Sequence, residues 1–468
     1  MRRFVTAFVA VVLASIAFHI SHGHAGDTST DGRLVVHEWG TFTNFSGSDG
    51  VKLEYRPLID NDLPDFVLDR GWQAGLNPRY TKALLRGRQR METPVTYFYT
   101  DKVRDVNVRV RFPQGLLTEF YPPVQKMLPE FTHDQFHKLP ALKDSLLDWG
   151  KVTLIPESLL STQLKPSPLA DRLNAEVMNR LIPRVGNHPH YGYARETDSA
   201  IVHVRNEADQ NRPRMPSGNF FEKFLFYRGM GNFKLPLHLT STGEDVFTLT
   251  NCGADPVRSL FLVSVNNGEI RYQSFDAVAA GNTIRMTQAS QKSTVAALSG
   301  AIAVSLVAEG LYEKEAAAMV RTWRDSWFEE EGTRLFYIVP AAVTEELLPL
   351  TVEPQPDETV RVLVGRMEIM SPEQEFAIEQ LVRNSVKLRT EHNAMGAELH
   401  KQNKKSPAFG IPKQIAAMGR LAEPALIRVI NISDDIAVRR EGRLLLQQWQ
   451  QTLEARNEVW RLHAALPQ

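Results

Sequence analysis

The stretch VNVRVRF, residues 106–112, sets the fold class of this chain. Its apolar side chains recur at every second position, with polar residues between them. The apolar set is Val106, Val108, Val110 and Phe112. Successive side chains of a strand point to opposite faces, so this period predicts a β-strand with one face in a core. A chain whose clearest period is two is expected to be mainly β, with helices added.

Similar segments on both sides group the chain into two β-rich domains. The first spans residues 34–160 and opens with LVVHEWGTFT at 34–43, which is rich in β-branched and aromatic residues. The second spans residues 195–370 and contains Asn267-Gly268, a dipeptide typical of a type I′ hairpin turn. Its clearest predicted strands are 200–204, 222–228, 246–250, 260–265, 269–275 and 283–287. Together the two ranges predict two antiparallel β-sandwich-like domains.

Helical patterns lie between and after these domains. Residues 161–194 are expected to form a joint of helix and loop. A single apolar stripe in residues 310–328 predicts a helix that packs on a sheet. The stripe consists of Tyr312, Ala316, Met319, Trp323 and Trp327. Residues 371–468 predict a helical tail, which begins with a capping box at Ser371 and Gln374.

The first residues have the layout of a secretory signal peptide. Arg2 and Arg3 precede an uncharged apolar run, and Gly23 and Ala25 place small residues before a cut after position 25. The run is short for a membrane span, which needs about 20 apolar residues. We therefore predict a signal peptide at 1–25, a polar lead-in at 26–33, and a mature protein that is periplasmic or extracellular. The alternative is an uncleaved N-terminal anchor.

The charge and cysteine content limit the kinds of partner that this chain is expected to bind. The chain has 54 basic and 54 acidic residues, and removal of the predicted leader takes away two arginines and leaves a net charge of −2. Such a chain has no electrostatic reason to bind nucleic acid or an anionic membrane surface. Cys252 is the only cysteine, so no intramolecular disulfide can form. The expected partner is a protein or a component of the cell envelope.

Two resemblances add to this interpretation. Residues 418–448 resemble a degenerate HEAT-type helical repeat in a single copy, which implies an appendage that docks on its own sheet or on a partner. The remainder resembles a group of exported bacterial proteins of uncharacterised activity. The stretches VHEWGTFT (36–43), METPVTYFY (91–99) and EKFLFYRG (222–229) are the basis of that resemblance. It implies export and a shared architecture, but no chemistry.

Histidines and acids supply the candidate site residues. His188 and His190 flank Pro189, and Asp198 follows in the same turn-rich connection. If His37 of the HEW stretch faces that connection, imidazole and carboxylate ligands could hold a metal ion. We state the set His37, His188, His190 and Asp198 as a hypothesis. The alternative is a polar linker beside a buried histidine.

A second histidine pair fits a metal site less well. His133 and His137 are four residues apart, a spacing that places two zinc ligands on one helix face. Asp134 stands where the zinc-protease pattern requires glutamate. No nucleophile elbow, phosphate loop or C-x-x-C motif is present in the sequence.

Two function classes remain after this comparison of motifs. The first is a non-catalytic binding or scaffold protein of the periplasm or cell surface. The second is an exported hydrolase, metal-assisted in one version, with a site where the HEW strand meets residues 188–198. Fold class alone does not choose between them.

Overall fold

The computed structural model describes residues 32–56, 58, 63–70, 85–130, 141–161, 181–208, 215–243 and 245–464. The predicted signal peptide, most of the lead-in, most of the joint and the His133/His137 pair lie outside these residues.

A nine-stranded sheet forms the centre of the molecule. In spatial order its strands are β14 (Glu269–Val278), β13 (Val257–Asn266), β16 (Gly332–Ile338), β18 (Glu358–Ile369), β1 (Val35–Ser46), β3 (Gln89–Tyr99), β10 (Leu225–Gly231), β5 (Gly115–Tyr121) and β2 (Leu68–Asp69). All pairs along it are antiparallel except β1 with β18, which run parallel.

Two smaller sheets complete the β part of the described chain. A six-stranded sheet contains β17 (Leu350–Glu353), β4 (Arg104–Phe112), β7 (Ser145–Ile155), β8 (Ile201–Asn206), β9 (Gly218–Glu222) and, paired with β7, β6 (Lys126–Leu128). A three-stranded sheet contains β11 (Leu237–Gly243), β12 (Val246–Asn251) and β15 (Thr283–Thr287). The VNVRVRF stretch lies in β4, where its four apolar side chains are buried, as its period predicts.

The helices of the described residues gather mainly in two places. They are α1 (Glu157–Ser161), α2 (Pro189–Tyr193), α3 (Val295–Ala308), α4 (Glu313–Thr322), α5 (Ala341–Leu347), α6 (Pro372–Lys401), α7 (Lys413–Ala417), α8 (Ala422–Ile432) and α9 (Ile436–Ala464). A π-helical turn at Asp325–Glu329 follows α4, and a 3₁₀ turn at Gly419–Leu421 precedes α8. Ser371 caps α6, with its hydroxyl accepting a hydrogen bond from Gln374 N at 3.2 Å.

The predicted fold class, mainly β with a C-terminal helical segment, is confirmed. The strand pairings nevertheless cross the predicted ranges 34–160 and 195–370. β1 pairs with β18 from Val35–Glu358 to Ser46–Ile369, and β3 pairs with β10. The two ranges therefore share the central sheet. Local period identifies a strand but not its partner, which is why the sequence did not reveal this arrangement.

The central sheet is buried on both faces. One face packs against the smaller sheets, through residues such as Val36 and Phe42 of β1. The other packs against α3 and α4, through residues such as Val35 and Trp39. A third, smaller core joins α6, α8 and α9. Within the described residues, no helix has both the length and the apolar character needed to cross a bilayer.

Candidate functional site

Strand β1 directs His37 into the layer between the central sheet and α4. His37 Nδ1 lies 2.7 Å from Glu315 Oε2, and Tyr99 donates its hydroxyl hydrogen to Glu315 Oε1 at 2.9 Å. The His37 ring also lies 4.4 Å from the Tyr312 ring, centre to centre. Burial, together with the Glu315 carboxylate, raises the pKa of Tyr99 well above its ordinary value.

This arrangement encloses His37. Its side chain is 1% exposed and that of Glu315 is fully buried. Among the described residues, His37 Nε2 has no hydrogen-bond partner. His37 is thus the buried histidine of the alternative interpretation, and Trp39 on the same face of β1 is also buried.

Glu38 points to the opposite face of β1 and forms a second buried group, which we call the sealed cluster: Glu38, Thr96, Tyr227 and Arg361. Glu38 Oε2 accepts from Arg361 Nε at 2.8 Å, while Glu38 Oε1 accepts from Thr96 Oγ1 at 3.0 Å and from the Tyr227 hydroxyl. The side chains of Glu38 and Arg361 are 0% and 3% exposed. At its edge, Arg361 Nη1 also pairs at 2.9 Å with Glu345, whose side chain is 54% exposed.

Residues 188–198 lie against α4 and the turn after it. His190 Nε2 lies 3.3 Å from Asp325 Oδ2 on the surface, and Asp198 accepts a hydrogen bond from Lys314 Nζ at 2.5 Å. His188 precedes the first residue of α2 without capping it by a side-chain hydrogen bond.

The four predicted ligands do not meet. In the described part of the chain, no three His, Cys, Asp or Glu side chains lie where they could hold a metal ion. His37 and Asp198 do contact the same helix, through Glu315 and Lys314. Consecutive helical residues point about 100° apart, so one contact faces the core and the other faces solvent. The structure thus gives no geometric support to the metal-site hypothesis.

A third group of charges was missed by the sequence analysis. We call it the groove cluster, and it consists of Glu330, Arg334, Arg366, Glu368 and Arg420. Glu368 accepts hydrogen bonds from Arg366 Nε at 2.6 Å and from Arg334 Nε at 3.1 Å. Charged residues inside an otherwise apolar strand were the available signal, since Arg366 and Glu368 belong to β18.

Glu330 links this cluster to the helical tail. Arg366 Nη2 donates to Glu330 Oε2 at 3.0 Å, and Arg420 of the 3₁₀ turn pairs with the same oxygen. Burial raises the pKa of Glu330 to about 7, helped by the Glu368 carboxylate and opposed by the Arg366 guanidinium. Unlike the sealed cluster, this carboxyl group reaches solvent, with 36% of its side chain exposed.

The solvent beside Glu330 fills a polar groove of about 800 Å³ between the β13–β14 hairpin and the tail. An apolar cavity of about 270 Å³ adjoins it, between the ends of β1 and β18 and the helices α6 and α8. Six residues line both spaces, namely Gly332, Thr333, Gln374, Gln414, Met418 and Leu421. Clefts of this size, apolar with a few convergent polar groups, are typical of ligand sites.

Comparisons with known proteins assign neither a family nor a fold to this chain. No protein-family model matches the chain, and no curated protein matches it. Among solved structures, it is similar to the yeast delta-COP-I mu-homology domain, with 8% identity, 72% of this chain and 98% of that chain covered, and a TM-score of 0.26. The same domain complexed with a WxWxV peptide gives 6% identity, the same coverage and a TM-score of 0.24. Both TM-scores lie below the level that indicates a shared fold.

Proposed function

We propose that this chain is an exported, non-catalytic binding protein of the periplasm or cell surface, and that it binds a component of the cell envelope in the groove between sheet and tail. The observation that supports this proposal is the apolar cavity that opens into the polar groove beside Glu330 and Arg420. The apolar part of a ligand would fit in the cavity, and its polar part would lie beside the charged residues of the groove.

The tail supports the same proposal. The repeat-like tail is docked on the segment that follows β1, because Arg428 pairs with Asp49 and Arg56 pairs with Glu423, while Arg428 and Glu375 join α8 to α6 within the tail. The tail therefore forms a fixed wall of the groove. A wall that is already ordered lowers the entropy cost of binding a ligand.

No observation favours the hydrolase alternative. Its central residue, His37, is enclosed and already bonded to Glu315. The groove cluster contains arginine–glutamate pairs, and neither serine nor cysteine lies beside a histidine there among the described lining residues. Binding is therefore the function that the geometry supports best.

Access to the groove is tested with the fluorescent apolar anion ANS and two matched variants. Ala377→Trp places an indole at an exposed position that lines the cavity, and Ala394→Trp places one at an exposed position elsewhere on α6. We expect saturable ANS fluorescence with the wild type and with Ala394→Trp, and its loss with Ala377→Trp. Equal fluorescence from all three proteins would contradict a ligand groove.

Export is tested separately. Residues 1–30 are fused to a reporter enzyme that becomes active only after translocation. Activity is expected from the fusion and not from a version with Arg2 and Arg3 replaced by glutamate, because a positive start is part of the signal. An inactive wild-type fusion would remove the envelope assignment and leave the groove itself unaffected.

A further inference from the structure

Helix α3 presents an apolar face to solvent. Its exposed residues are all alanine, glycine or valine, namely Ala296, Ala297, Gly300, Val304, Val307 and Ala308. Val304 is 71% exposed, and a Cβ added at Gly300 would meet no atom within 4 Å. A surface helix normally turns polar residues toward water, and a helix that is apolar all round is normally covered. Within the described part of the chain, nothing covers the outer face of α3.

The described chain begins close to this helix. Arg33 pairs with Glu358 of β18 at 3.6 Å. Two residues further along β18, Val360 lies against Gly310, where an added Cβ would be 3.1 Å from Val360 Cγ1. Gly310 follows the last residue of α3 by two positions. Residues 1–31, which precede the described part, are therefore joined to it beside the end of α3.

The predicted leader has the length and the side chains to cover that face. Its uncharged run from Phe4 to Phe18 would be about 22 Å long as a helix, and α3, with 14 residues, is about 21 Å long. Residues 19–31 can span about 40 Å, which is enough to bring the run alongside α3 in either direction. On a helix, one side of the run carries branched and aromatic side chains, those of Val5, Phe8, Val9, Val12 and Ile16.

We propose that the leader, while it remains attached, folds back on its own chain and lays its apolar run along the exposed face of α3. Cleavage after Ala25 then uncovers this face. The inference goes beyond the proposed binding function and does not depend on it, because no residue of α3 is among the described residues that line the cavity or the groove.

Two other occupants fit the face less well. A second copy would set one row of small side chains against another, which buries little apolar area. A bilayer surface attracts helices with Trp, Phe or Leu on the apolar side and Lys or Arg beside it, and the exposed residues of α3 include none of these. The leader supplies the large side chains that the face lacks, and small residues opposite large ones let two helices pack closely.

Thiol reactivity measures whether α3 is covered. Val304→Cys is introduced into a Cys252→Ser chain, so that it supplies the only thiol. The protein is prepared as the full chain, by cell-free synthesis without membranes, and as a chain that starts at Gly26. Intact-mass spectrometry checks that the leader is retained. We expect the full chain to react with a maleimide about tenfold more slowly, as a leader that covers α3 about nine-tenths of the time requires.

Two controls separate covering by the leader from other causes. Asn393→Cys, at an exposed position of α6, should react equally fast in both chains. Val9→Asp together with Val12→Asp in the full chain should restore fast reaction at position 304, because carboxylates are costly to bury in an apolar contact. Both aspartates precede the described residues, so damage to a core does not explain that result.

Equal rates at position 304 in the full chain and in the chain from Gly26 would overturn the inference. A reaction of the shorter chain that slows as its concentration rises would identify a second copy as the occupant instead. A reaction of that chain that slows only when phosphatidylcholine vesicles are added would identify a bilayer surface instead.

Discussion

The sealed cluster and the groove cluster bury the same chemistry in different settings. Each centres on an arginine of β18, Arg361 in one and Arg366 in the other, and these lie on opposite faces of the strand. Arg361 is closed in by its partners on the side of the smaller sheets. Arg366 lies on the helical side, where its partner Glu330 borders a solvent-filled groove.

The difference shows how a structural ion pair differs from the proposed binding site. Buried acid–base pairs occur in both clusters, so burial alone marks neither as functional. The groove cluster adds a carboxyl group whose pKa is raised to about 7, that of Glu330, and a route to solvent. We expect variants of the sealed cluster to change stability and variants of the groove cluster to change binding.

The largest effect is expected from Glu38→Gln. This change removes the buried carboxylate of Arg361 and leaves only the half-exposed Glu345 as its partner, which costs about 3–5 kcal/mol of unfolding free energy. Urea unfolding followed by tryptophan fluorescence measures it. Glu345→Gln, at the half-exposed end of the same network, is the control and should cost less than about 1 kcal/mol. Similar losses from both variants would show that the cluster is not sealed.

A smaller loss is expected from His37→Gln. The variant weakens a buried hydrogen bond to the Glu315 carboxylate, which contributes about 1.5–3 kcal/mol. Elemental analysis of both proteins should give the same metal content, since the described residues form no ligand set around His37. A bound metal that disappears with His37 would restore the metal-site hypothesis. His400→Gln, on the exposed surface of α6, is the control.

Arg420→Gln should cost about 1 kcal/mol, because Arg366 continues to neutralise Glu330 and Glu368. A loss of several kcal/mol in urea unfolding would instead make Arg420 a structural residue like Arg361.

The last expected effect is a change in the slope of stability with pH, which is measured across a pH range rather than as a loss at one pH. The pKa of Glu330 is raised from 4.5 to about 7 in the folded chain, so the folded state holds its proton more tightly than the unfolded state does. The stability from this group is present below pH 4.5 and is lost as pH rises toward 7. Glu330→Gln should flatten the unfolding free energy across that window, and Glu329→Gln should not. An unchanged slope in Glu330→Gln would contradict the raised pKa.

Local features of the fold were predictable from the sequence. Asn267 and Gly268 adopt positive φ angles of 52° and 74° between β13 and β14, as a type I′ turn requires. The stripe from Ala316 to Trp327 is buried, although the helix ends at Thr322 and continues as the π-helical turn. These features depend on neighbours within a few residues.

Features that depend on distant neighbours were not predictable. The predicted strand 222–228 is split, since β9 ends at Glu222 and β10 begins at Leu225, and Glu222 pairs with the distant Arg195 at 2.7 Å. The groove requires a tail residue, Arg420, to meet Glu330 and Glu368, and nothing in its sequence context indicates that contact. The site was therefore missed because it forms only when separate segments pack together.

Because β1 pairs with β18, the central sheet can close only after both strands have been synthesised. Contacts such as that between Glu38 and Arg361 join positions 323 residues apart. A growing polypeptide therefore cannot close its central sheet until β18, which ends at Ile369, has been synthesised, and such distant closure slows folding. Until then β1 can pair with β3 on one edge, and its other edge stays open and invites aggregation. Fragments that end before Glu358 should accordingly remain soluble only while a chaperone holds them.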